Sequence, residues 1–170
     1  MDAQTRREQI TQRLRQAAGP VSASALAREC RVSRQVVVGD VALLRAGGLD
    51  ILATARGYVL ARRSPGITRA VACVHPPEQM ARELEIMVDN GCQVLDVVVE
   101  HPVYGQLTGQ LDLRSRYDVQ QFVARSAQSD ARPLSLLTEG IHLHTVSCPG
   151  EEAFRRMQEG LRALGVLLEA

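Results

Sequence analysis

The chain is defined first by what it lacks. It has no lysine: all twenty basic residues are arginine, a bias that base composition explains as readily as chemistry. No apolar run approaches the ~20 residues that a membrane helix requires, which argues against a bilayer-spanning segment. The polar stretch Met1 to Arg7 lacks the apolar centre of a secretion signal, so export is not expected and a cytoplasmic location is the default. The four cysteines, Cys30, Cys73, Cys92 and Cys148, include no CxxC pair or short metal-ligand spacing. In a cytoplasmic protein they are expected to be reduced and to serve as small apolar core residues. Histidine is missing from the first half altogether, and His75, His101, His142 and His144 all fall in the second.

What is present is globular: 170 residues, 45% apolar and 23% charged, enough for one ordinary domain or two small ones. The net charge of +1 conceals an asymmetry. Residues 1–64 carry eleven arginines against five acids, a formal +6, whereas residues 65–170 carry nine against fourteen, a formal −5. Opposite charge in the two halves suggests two tasks, with an anionic partner for the first.

The first half reads as helices followed by a hairpin. Thr5 to Ala18 sets Ile10, Leu14 and Ala17 at helical spacing before Gly19-Pro20 stops the helix. Ser22 can cap a short second helix and Ser33 a third, Arg34 to Ala46, which ends at Gly47-Gly48. Two helices a few residues apart form a helix-turn-helix pattern. Ile51 to Thr54 and Tyr58 to Leu60, joined through Arg56-Gly57, read as the small hairpin that would be its wing. On the third helix Val37, Val41 and Leu44 form the core stripe. Gln35, Gly39 and Ala42 lie opposite, with Val38 beside them and Arg34 and Arg45 on the flank. Small groups allow deep entry into a major groove, and Gln35 can pair with adenine. Arg34, Arg45 and Arg56 suit phosphate contacts. A protein-interaction domain with solvated arginines fits the helices equally well, but the charge and the wing favour double-stranded DNA.

In the second half, Arg62 to Gly66 is a breaker-rich linker between a domain at 1–63 and another at 68–170. Thr68–Val74, Val94–Glu100, Tyr104–Leu113 and Ile141–Val146 read as strands; Glu78–Asn90, Tyr117–Ala127 and Glu151–Leu164 read as helices. The order β-α-β-β-α-β-α predicts a two-layer sandwich, and the whole chain is α+β. His142 and His144 project to one face of their strand. His75 lies at a strand-to-helix junction and Glu83 is about two turns into the next helix. Three imidazoles and a carboxylate suit Zn²⁺, Ni²⁺ or Fe²⁺. Spacing alone leaves open whether they are ligands or ordinary polar residues. His101, before Pro102, is read equally well as a turn residue.

Two sets of residues resemble a known family. Leu26-Ala27, Val32-Ser33-Arg34, Asp40, Leu44-Arg45, Gly48 and Gly57-Tyr58 are similar to the winged helix-turn-helix of bacterial ligand-responsive repressors. Gly39 departs from that pattern, where a longer side chain is usual, so a base contact from this position is not carried over. His75-Pro, Glu83, His101-Pro-Val-Tyr-Gly105 and Gly140-Ile-His142-Leu-His144 resemble the three-histidine effector domain of nicotinate-responsive repressors of NAD biosynthesis and niacin-uptake genes. The resemblance implies a homodimeric repressor that binds nicotinic acid. It implies that His75, Glu83, His142 and His144 hold a divalent metal, with His101 and Tyr104 near the effector. It also implies a topology similar to the histidine-containing phosphocarrier proteins.

Rival readings are a metal-dependent hydrolase, a repressor answering to another small carboxylate, and histidine phosphotransfer. The attached DNA-binding half fits sensing better than hydrolysis. His75 before Pro-Pro matches a phosphocarrier loop poorly.

Overall fold

Capping residues set the helix boundaries of the first unit. The Asp2 carboxylate accepts from the N–H groups of Gln4 and Thr5, so α1 (Ala3–Gln16) starts two residues earlier than its apolar periodicity predicts. Ser22 caps α2 (Ala23–Cys30) and Ser33 caps α3 (Arg34–Ala46), each hydroxyl accepting from the backbone three residues on. The computed structural model describes residues 2–61, 66–130 and 132–169. Most of the predicted linker, residues 62–65, lies outside them. The chain divides into two units, Met1–Arg63 and Ser64–Ala170.

In the first unit Ile10, Leu14, Leu26, Val37 and Val41 form the centre of the core, with Leu44 packed at its margin. The hairpin β1 (Ile51–Thr54) and β2 (Gly57–Leu60) pairs antiparallel. Val21 and Tyr58 exchange two backbone hydrogen bonds of 2.8 Å each, which dock the wing onto the segment between α1 and α2. Gly57 is required there: its φ is +136°, and an added Cβ would lie 2.4 Å from the Val21 carbonyl oxygen.

The second unit follows the expected order. It runs β3 (Ile67–Val74), α4 (Met80–Asp89), β4 (Gln93–His101), β5 (Gly105–Leu113), α5 (Arg116–Gln128), β6 (Ile141–Cys148) and α6 (Glu151–Leu164). A short 3-10 turn precedes α4 at Pro77–Gln79, and another at Leu134–Thr138 was not legible, being too short for helical periodicity. Tyr104 precedes β5 rather than starting it. The sheet order is β3-β6-β4-β5, with every pairing antiparallel. Val71, Val94, Leu113 and Val146 point from the sheet into a core completed by Leu84 and Met87 of α4 and Met157 and Leu161 of α6.

The cysteine expectation is corrected in part. Cys30 and Cys73 are free and buried, but Cys92 and Cys148 are bonded to each other. The register opposes Gln93 to Ser147 and so brings together cysteines 56 residues apart in sequence, a proximity that no local spacing encodes.

Candidate nucleic-acid interface and candidate metal centre

α3 presents the arrangement its periodicity predicts. Val37 and Val41 are buried, while Arg34, Gln35, Gly39 and Ala42 are exposed and Val38 is half-buried. Nothing lies within 4 Å of a Cβ built on Gly39, so this side of the helix is open. Asp40, only 4% exposed, anchors α3 to α1 through Arg6 at 2.6 Å and Arg7 at 3.6 Å. Arg45 has a structural duty as well as a place on the flank. Its Nε donates to the Ile51 carbonyl at 2.7 Å, and its guanidinium lies 6.0 Å from the Tyr58 ring centroid, tying α3 to the wing. Arg56 is half-buried in the turn of the wing.

The histidine cluster is assembled from three elements. Cys73 pairs with His142 and Val71 with His144 across β3 and β6, so these side chains share the helix-facing side of the sheet. His75 follows β3, and Gly140 holds its backbone against the start of β6. An added Cβ at Gly140, where φ is +93°, would lie 2.6 Å from the His75 carbonyl oxygen. From α4, Glu83 enters this space fully buried. Its carboxylate is 2.7 Å from His75 Nε2, 3.0 Å from His142 Nε2 and 3.4 Å from His144 Nε2.

The other ring nitrogens determine the tautomers. His75 Nδ1 donates to the Pro76 carbonyl at 2.8 Å, His142 Nδ1 to Gly140 at 2.8 Å and His144 Nδ1 to Asp96 at 2.7 Å. A carbonyl can only accept, so each Nδ1 carries the proton and each neutral ring turns a bare Nε2 towards a carboxylate. Two sets of lone pairs facing each other at hydrogen-bond distance require a proton or a cation. Burial alone would disfavour charge on His75 and His144, but the neighbouring Glu83 carboxylate outweighs it and raises both above the ordinary histidine value. Burial likewise opposes the charge on Glu83, and the surrounding imidazoles, His144 foremost, overcome it and hold this carboxyl well below its usual range. His144 Nε2, buried, has no hydrogen-bond partner among the described residues. A buried donor set with its lone pairs converging and its outer nitrogens locked by carbonyls fits a divalent cation.

Comparison with known proteins agrees with both halves. Residues 6–59 match the family described as HTH domain, and residues 68–170 match the 3H domain. The "Probable transcription repressor NiaR" of Thermotoga maritima is 44% identical over 98% of this chain and 95% of its own length. The "Transcription repressor NadR" of Bacillus subtilis is 38% identical over 96% of this chain and 93% of its own. The chain belongs to the 3H-domain family of transcription repressors.

Within the 3H domain, His75, Glu83, His142 and His144 are brought together, whereas His101 and Tyr104 make a different local arrangement. They sit in the turn between β4 and β5, with ring centroids 5.1 Å apart. His101 Nδ1 accepts from the N–H groups of Val103 at 3.2 Å and Tyr104 at 3.3 Å, which is the turn role. Tyr104 is 73% exposed, beside an exposed Val103. The turn lies at the same end of the sheet as Gly140 and His142, because β4 runs antiparallel to β6 with Val98 opposite Leu143.

Two residues of the cluster were missed from sequence. Cys73 passed as a core cysteine, yet its sulfur, a Glu83 carboxylate oxygen and a His142 ring nitrogen lie within 4.8 Å of one another, all three residues buried. The alternation Cys73-x-His75 at the end of a strand was the available signal. Gly140 had a place in the motif but no role; the close approach of two backbones supplies it.

Proposed function

We propose that this 3H-domain protein is a transcriptional repressor that binds double-stranded operator DNA as a homodimer and answers to nicotinic acid through a metal-bearing second unit. It controls genes of NAD biosynthesis or niacin transport. The observation that carries the reading is the convergence of three carbonyl-locked imidazoles on buried Glu83. His75, Glu83, His142 and His144 hold the cation, which when bound supplies a Lewis-acidic position for a carboxylate or a ring nitrogen. His101 and Tyr104, with Val103 exposed beside them, offer an aromatic and apolar rim at that end of the sheet. Arg34, Gln35, Val38, Arg45 and Arg56 face the DNA, with the arginines on phosphates and Gln35 on a base edge. The names of the relatives support the repressor reading.

The test is an operator titration at fixed salt, with and without nicotinate, on wild type, His101→Ala and Tyr104→Ala. Nicotinate tightens wild-type binding, and by linkage the operator tightens nicotinate binding by the same factor, typically ~1–3 kcal/mol of coupling. The variants keep basal operator affinity and lose the response. Nicotinamide, lacking the carboxylate, is the weaker effector, and both compounds are recovered unchanged after long incubation. An operator affinity indifferent to nicotinate in the metal-loaded wild type refutes nicotinate sensing. An equal response to benzoate assigns the site to a different small carboxylate.

A further inference from the structure

Cys73 stands apart from the other cysteines. Cys92 and Cys148 are bonded to each other, and Cys30 lies in the core of the first unit with no other donor cluster beside it among the described residues, whereas Cys73 lies at the edge between the core of the second unit and Glu83. Cys73 is completely buried, and its sulfur shares a space with Glu83 and His142. Opposite it on β6 is His142, so β3 and β6 bring a thiol and an imidazole to the same face beside Glu83. An independent observation also marks this point as a ligand position: His144 Nε2, buried and without a hydrogen-bond partner among the described residues, is 3.4 Å from the same carboxylate. Burial and position thus put the Cys73 sulfur within reach of the carboxylate on which the histidines converge.

We propose that Cys73 is itself a metal ligand, making the centre a mixed sulfur, nitrogen and oxygen site. The inference rests on the metal reading above and adds to it the identity of the donor set. On binding, the thiol releases its proton to solvent and a metal–sulfur bond forms. A thiolate biases the centre toward thiophilic ions, Zn²⁺ foremost, and away from Mn²⁺ or Mg²⁺, which imidazole and carboxylate alone do not do as strongly. A sulfur donor also separates this centre from one built only of histidine and glutamate, and the difference is spectroscopic.

The full-length protein is stripped of metal and titrated with Co²⁺. Wild type is expected to show the visible d–d bands of bound cobalt together with near-ultraviolet sulfur-to-cobalt charge transfer. Cys73→Ser and Cys73→Ala are expected to keep the d–d bands and lose the charge transfer. Charge transfer absent from cobalt-loaded wild type, or persisting in a variant, overturns the proposal and leaves the histidine–glutamate site standing. Failure of wild type to bind Co²⁺ or Zn²⁺ overturns the metal reading and this proposal together. Because a buried substitution can impair folding, X-ray absorption on zinc-loaded wild type gives a check that needs no variant. A zinc–sulfur shell near ~2.3 Å beside the shorter nitrogen and oxygen shell is expected. Its absence overturns the proposal.

Discussion

Two buried carboxylates, Asp40 in the first unit and Glu83 in the second, are treated in opposite ways. Asp40 in the DNA-binding unit meets two arginines, Arg6 and Arg7, both permanently charged and both from α1. Its charge is balanced by the chain itself. Glu83 meets three imidazoles whose protonated nitrogens are already committed to Pro76, Gly140 and Asp96, so its balance depends on a proton or a cation from outside. The first arrangement holds two helices together; the second gathers a carboxylate and three ring nitrogens at one point. A buried carboxylate therefore signals a binding site only when its partners cannot neutralise it unaided.

The largest effect expected from this contrast is on the first unit. Asp40→Ala leaves Arg6 and Arg7 without their shared acid and is expected to destabilise the first unit, softened by the 14% and 29% of these side chains that remain in solvent. Glu83→Ala in metal-free protein costs less, since the imidazoles become neutral and keep their carbonyl bonds, but it abolishes tight metal binding. Chemical denaturation in chelator, followed by zinc titration, measures both. Equal stability losses, or stoichiometric zinc retained by Glu83→Ala, break the comparison.

A second effect is in the pH dependence. The folded-state pKa values of His75 and His144 are raised, so their contribution is complete below the unfolded value of ~6.5 and is lost as pH rises through the folded values. That of Glu83 is lowered, so its contribution holds above ~4.5 and is lost as pH falls through its folded value. The metal-free second unit therefore loses stability as pH is raised from below ~6.5 to above the folded values of these histidines. With zinc the slope reverses, because binding requires deprotonated ligands. Denaturation midpoints with and without zinc at the two ends of that range check the sign. Parallel slopes would show that these imidazoles do not face a charge.

The smallest effects sharpen the contrast at glycine. Gly39→Ala, on an open helix face, is expected to stabilise the first unit by up to ~1 kcal/mol in thermal unfolding. Gly140→Ala pushes Cβ into the His75 backbone at a positive φ and is expected to weaken zinc affinity by ~10–100-fold, the range seen when supporting groups around a metal are lost. Calorimetric zinc titration measures the latter, and an unchanged affinity would remove Gly140 from the support of the site.

Local sequence set the starts of α2 and α3, the wing, and the order of strands and helices. Capping by Ser22 and Ser33, and the alternation or 3.6-residue repeat of apolar side chains, act over a few neighbouring residues and are therefore legible there. The candidate set His75, Glu83, His142 and His144 was legible only as a pattern, since spacing cannot turn Glu83 inward. Tertiary structure alone decided the sheet order β3-β6-β4-β5, which sets His142 opposite Cys73 and brings Cys92 to Cys148. It also decided that Arg45 braces the wing and that Gly140 passes against His75. These relations join residues six to about seventy positions apart, and only the packing of whole elements around a shared core fixes which of them meet.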